Sequence, residues 1–103
     1  MDKLAGLKEI LAQDPNNTLA RYGIAMELAS RGQTDESLTE FDALIQAKPD
    51  YTAAYFMSAQ TMANAGRTGD AIARLKLGLD SARRTGNQHA LSEMQTMLDE
   101  LDR

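Results

Sequence analysis

The chain has 103 residues, 43% hydrophobic and 25% charged, with 11 basic against 15 acidic side chains and a net charge of −4. That composition bounds it to one ordinary globular domain, and the acidic balance argues against nucleic acid or an anionic membrane as partner, since both are met by basic patches. With no cysteine there is no disulfide framework, thiolate metal site or thiol nucleophile, and no apolar run approaches the roughly 20 residues that cross a bilayer.

The opening stretch, MDKLAGLKEILAQDP, carries charge throughout and lacks the apolar centre of a secretory leader. A cytoplasmic location is therefore expected. Valine is absent, no stretch alternates apolar and polar residues for long, and good helix formers dominate. The chain reads as all-α. A first helix is expected over Asp2 to Gln13, with Leu4, Leu7, Ile10 and Leu11 as one stripe and Pro15 as its stop. Asn16 and Asn17 offer caps for a second helix, Thr18 to Ser30, which Gly32 ends. That helix has apolar residues on two sides: Leu19, Tyr22, Met26 and Ala29, then Ala20, Ile24, Ala25 and Leu28. A third helix, Asp35 to Gln46, has Thr34 as candidate N-cap, a stripe of Leu38, Phe41, Leu44 and Ile45, and Pro49 as its stop.

A fourth helix is expected over Tyr51 to Ala65, capped by Asp50 and closed by Gly66. The fifth begins near Gly69 with Asp70 in its first turn, carries Ile72, Leu75 and Leu79, and runs to about Arg84 because no proline stops it. Gly86 and Asn87 break it. The sixth, Gln88 to Leu101, shows a wide apolar face of Ala90, Leu91, Met94, Met97, Leu98 and Leu101.

Shifting the chain by 34 places Pro15 on Pro49, Gly32 on Gly66, Tyr22 on Phe56, Ala25 on Ala59 and Ala29 on Ala63. Leu4 falls on Leu38 and Ile72, Leu7 on Phe41 and Leu75, and Leu11 on Ile45 and Leu79. A 34-residue helix–turn–helix period resembles the tetratricopeptide repeat family. The resemblance implies an all-α, right-handed solenoid of about six antiparallel helices: a half repeat over 1–15, repeats over 16–49 and 50–84, and a capping helix over 86–103. The sequence departs from the family pattern in named places. The early aromatic is Arg21, then Tyr55. The leucine–glycine pair is Ile24-Ala25, then Ser58-Ala59. The later tyrosine is Leu28, then Met62. The second-helix alanine is Ser37, then Ala71. The closing proline is Pro49, then Arg83. Ile24, Leu28, Phe41 and Ile45 are the expected stacking core.

Nothing in the sequence assembles chemistry, so neither an enzyme nor a bound metal or cofactor is expected. His89 is a lone histidine without ligand-spaced partners. Gly66 and Gly69 lack the lysine and hydroxyl residue of a phosphate loop, and no serine sits in a nucleophile elbow. Arg74, Lys76, Arg83 and Arg84 read as helix-end charge compensation.

What remains is a surface. The resemblance implies that the first helix of each pair lines a concave groove, through Leu19, Tyr22, Gly23, Met26 and Ser30, then Ala53, Phe56, Met57, Gln60 and Asn64. The lysine, arginine and asparagine clamp with which family members hold a C-terminal carboxylate is absent. The candidate partner-binding residues are Leu19, Tyr22, Met26, Ala53, Phe56, Met57, Gln60 and Asn64, an apolar groove with an amide edge and adaptable methionines. The expected partner is a protein or peptide. The alternatives are that a terminal helix folds over this groove, that its aromatics pack between repeats, or that the chain forms a homo-oligomer through the open edge of its first helix.

Overall fold

The computed structural model describes residues 2–103. Those residues form six helices and no strand: α1 Lys3–Gln13, α2 Thr18–Ser30, α3 Thr34–Ala47, α4 Thr52–Asn64, α5 Thr68–Thr85 and α6 Gln88–Leu101. They make a stack measuring 42 × 29 × 19 Å, in which α1 rests on α2, α3 lies between α2 and α4, and α6 covers α4 and α5. Among the described residues no helix is long and apolar enough to cross a membrane.

The helix ends follow local chemistry. The Asn17 and Asn87 side-chain oxygens accept the amides of Ala20 and Ala90, at 2.9 and 3.0 Å, satisfying one orphan donor each. Gly32 and Gly66 stop α2 and α4 with φ of +76° and +79°, a region that costs glycine nothing. Two expected caps are absent. Thr34 is already the first residue of α3, and no side chain caps that helix. Asp50 lies one residue too far from α4, behind Tyr51, and its carboxylate instead meets Arg84 at 3.0 Å.

Each hairpin closes where small residues meet. Ala25, Ser37, Ala59 and Ala71 have no exposed surface. Ser37, standing where the family pattern has alanine, donates its hydroxyl to the Ala25 carbonyl at 2.7 Å, so the close approach carries no unpaired polar group. Phe41, Leu44 and Leu75 fill the space between the pairs. Burying each contributes about 1.5–3 kcal/mol. A smaller cluster of Leu4, Ile24 and Leu28, with Leu7 and Leu11 against it, fixes α1 to α2.

The departures in the second repeat are compensated in place. Ser58, in the leucine position, is buried, donates to the Tyr55 carbonyl at 3.2 Å and accepts from Arg74 at 3.1 Å. Arg74 also meets Asp42 of α3 at 2.6 Å, so one guanidinium satisfies the serine and ties two repeats. Tyr55 donates to the Pro49 carbonyl at 2.6 Å. In the first repeat that aromatic position is Arg21, which pairs with Glu40 at 2.8 Å.

The last helix follows a different spacing. From Thr18 to Thr52 the step is 34 residues, but from Thr52 to Gln88 it is 36. Without a closing proline α5 runs to 18 residues against 14 for α3, and the turn after it shortens. Measured on that longer step, α6 repeats the burial of its predecessors: Ser58 is followed by Met94, and Met62 by Leu98, all buried.

Candidate functional site

α4 carries no charged residue. Ala54, Tyr55, Ser58, Ala59 and Met62 face the core, leaving Phe56 and Ala63 half-buried and Gln60 and Asn64 exposed on the other side. The matching side of α6 stands across from them. Together they enclose an open groove of about 680 Å³. Its half-buried lining is apolar: Phe56, Ala63, Met97 and Leu101. Its exposed lining is polar, with Gln60 and Asn64 on α4 and Ser92, Thr96, Glu93 and Glu100 on α6. His89 also belongs to this lining, and its Nε2 lies 3.1 Å from a Glu93 oxygen.

Three of the eight candidate residues, Phe56, Gln60 and Asn64, meet in this groove. The others do not. Tyr22 packs between repeats, its ring 5.5 Å from Tyr51 and edge-on to Phe41 at 6.2 Å. Burial, and then the neighbouring Tyr51, push its phenol above the usual tyrosine range. Met26 and Met57 are half-buried against the same core. Leu19 is 73% exposed on α2, outside the groove lining. Ala53 lines a separate shallow depression with Asp50, Tyr51 and Asn87. Gly23, expected to face the groove, lies under α1 instead: a Cβ there would stand 3.2 Å from Leu7 Cδ1.

The sequence reading missed the α6 wall. The signal was available in the 36-residue step, which carries Phe56 to Ser92, Gln60 to Thr96 and Asn64 to Glu100. The 34-residue shift hides it.

Charge is sorted between the faces. Arg67 meets Asp35 at 2.6 Å and Arg74 meets Asp42 at 2.6 Å, each joining one repeat to the next, and Arg84 meets Asp50 at 3.0 Å within the second repeat. Arg31 pairs with Asp2 and Glu27. Of the basic cluster in α5, Arg74 thus joins the repeats, Arg84 ties α5 to the turn before α4, and Arg83 pairs with Asp80 within its own helix. No lysine or arginine lines the groove.

Comparison with known proteins adds a family to this geometry. The profile described as tetratricopeptide repeat matches residues 28–94, well over half of the chain. The chain is 26% identical over 100 residues to the TPR repeat-containing protein PA0015 of Pseudomonas aeruginosa, covering 97% of this chain and 95% of that protein. Its fold is similar to the solution structure of protein BPP2914 from Bordetella parapertussis, with a TM-score of 0.86, 26% identity, and coverage of 99% and 89% of the two chains. It is also similar to the TPR2B domain of yeast Sti1 in a complex with pHsp70, with a TM-score of 0.88 and coverage of 96% and 79%; at 15% identity that likeness is one of fold alone.

Proposed function

The chain belongs to the tetratricopeptide repeat family, and from that premise we propose that it is a protein–protein interaction scaffold whose concave groove accepts an apolar segment of a protein partner. The observation that carries this reading is the α4–α6 groove, in which Phe56 keeps part of its ring open beside Ala63, Met97 and Leu101. An apolar lining with a few polar groups at its edge is the general character of a recognition site. The partner is not a carboxylate tail held by cations, because the clamp positions hold Tyr22, Gly23, Met26, Ala53 and Met57. What pHsp70 does for the Sti1 domain is therefore not carried over. The reading includes a cytoplasmic location and no catalytic role.

Recovery of partners by the tagged protein and by its Phe56→Ala variant, both verified as folded by circular dichroism, tests the site. Losing the ring should weaken capture about tenfold or more, the equivalent of a buried aromatic side chain. Equal recovery by the folded variant moves the site away from the groove.

One observation favours a second reading, self-association through α1. Among the described residues that helix has α2 as its only packed neighbour, and Ile10 is 48% exposed on it. Leu4 and Leu7 are turned inward, so the edge is narrower than the sequence implies. Light scattering at about 50 µM giving a strict monomer ends this reading.

A further inference from the structure

We infer that the segment this groove accepts is basic as well as apolar, with a lysine or arginine next to its apolar anchor. The inference rests on the groove being the partner site and names the chemistry of the partner. The apolar anchor follows from Phe56, Ala63, Met97 and Leu101. The cation follows from the edge, where two carboxylates, Glu93 and Glu100, stand over that lining with no lysine or arginine among the groove residues.

Among the described residues, every arginine that meets a carboxylate does so elsewhere: Arg21, Arg31, Arg67, Arg74, Arg83 and Arg84 are each held in an ion pair away from the groove. Among those residues Glu93 has only His89, a partner that is charged only when protonated, and Glu100 has no cation within 4 Å. The opposite wall, α4, has no charge with which to balance or repel an incoming group. An acidic segment would meet two like charges at the moment its apolar side chain is desolvated, which disfavours it. A basic one replaces water at both carboxylates, and the net charge of −4 attracts it from a distance. The exposed amides of Gln60 and Asn64 remain free to hydrogen-bond the backbone of the segment.

The test is a random peptide display library of about 12 residues panned against the full chain, a length that matches a few turns of helix or a short strand. Recovered sequences should set lysine or arginine within a few positions of leucine, isoleucine, methionine or phenylalanine. The Kd of a recovered peptide should rise roughly three- to thirtyfold in the Glu93→Gln/Glu100→Gln double variant, which keeps shape and removes charge. Its binding to the unaltered chain should weaken between about 50 and 300 mM salt, and much less so in the double variant. Acidic or neutral peptides that still require Phe56 overturn the charge inference and leave the groove reading standing. Peptides indifferent to Phe56→Ser, or no enrichment at all, overturn both. The chain itself carries Lys76 beside Leu77, which is 56% exposed on α5. Sedimentation of the chain alone therefore accompanies the panning. Self-association abolished by the double variant would make a second copy the occupant and overturn the partner inference.

Discussion

Tyr22 and Phe56 stand one period apart, yet neighbouring residues give them different work. Tyr51 and Phe41 hold the Tyr22 ring between repeats, whereas Phe56 opens on the α6 side. Tyr22→Ala should therefore lower unfolding stability by about 1–3 kcal/mol, through lost ring contacts and a partly filled cavity. Denaturant unfolding reads this directly, and an unchanged midpoint would show that the ring is not structural. Gly78 is the residue whose importance was least legible. It looks like a helix-weakening glycine inside α5, but a Cβ there would lie 2.7 Å from the Tyr55 Cβ and 2.5 Å from the Met94 sulfur. The α4 backbone at Tyr55 and the Met94 side chain of α6 converge on α5 at that point. Gly78→Ala should cost about 1–3 kcal/mol despite its better helix propensity, because overpacking outweighs the gain. A stabilised Gly78→Ala variant, measured the same way, would contradict the convergence. The stacking residues Ile24, Leu28 and Phe41 were legible because burial follows hydrophobic spacing. Ser58 was not, because its partner Arg74 comes from another helix.

At the scale of elements, helix positions were readable within a residue or two, and their caps less so. Asn17 and Asn87 cap because each stands immediately before its helix. Thr34 and Asp50 have the right chemistry in the wrong register. Asn87→Ala should cost about 1 kcal/mol and Thr34→Ala less than about 0.5 kcal/mol. Equal losses in denaturant unfolding would refute the assignment of caps. The groove wall escaped the sequence reading for a related reason. Arg83 stands where the period calls for proline, so α5 lengthens and α6 starts two residues late. Burial restores the register, since Leu28, Met62 and Leu98 all turn inward, but burial is a tertiary fact.

In the whole molecule, stability is a sum of neighbour terms along the stack. α1 has one neighbour, while α4 is packed by α2, α3, α5 and α6. Amide exchange should be slowest in α4, at Tyr55, Ser58 and Ala59, and clearly faster in α1. Equal protection would mean that the half repeat is as firmly held as the centre. The proposed groove reading rests on the same arrangement, because α4 sets an uncharged wall across from Glu93 and Glu100 of α6. The most direct measurement is photo-crosslinking in cells with a benzophenone side chain introduced at Gln60, on the groove, and separately at Leu77, on α5. Discrete adducts to a partner protein should form from position 60 and not from position 77. Adducts from 77 alone would contradict the groove as the partner-binding surface.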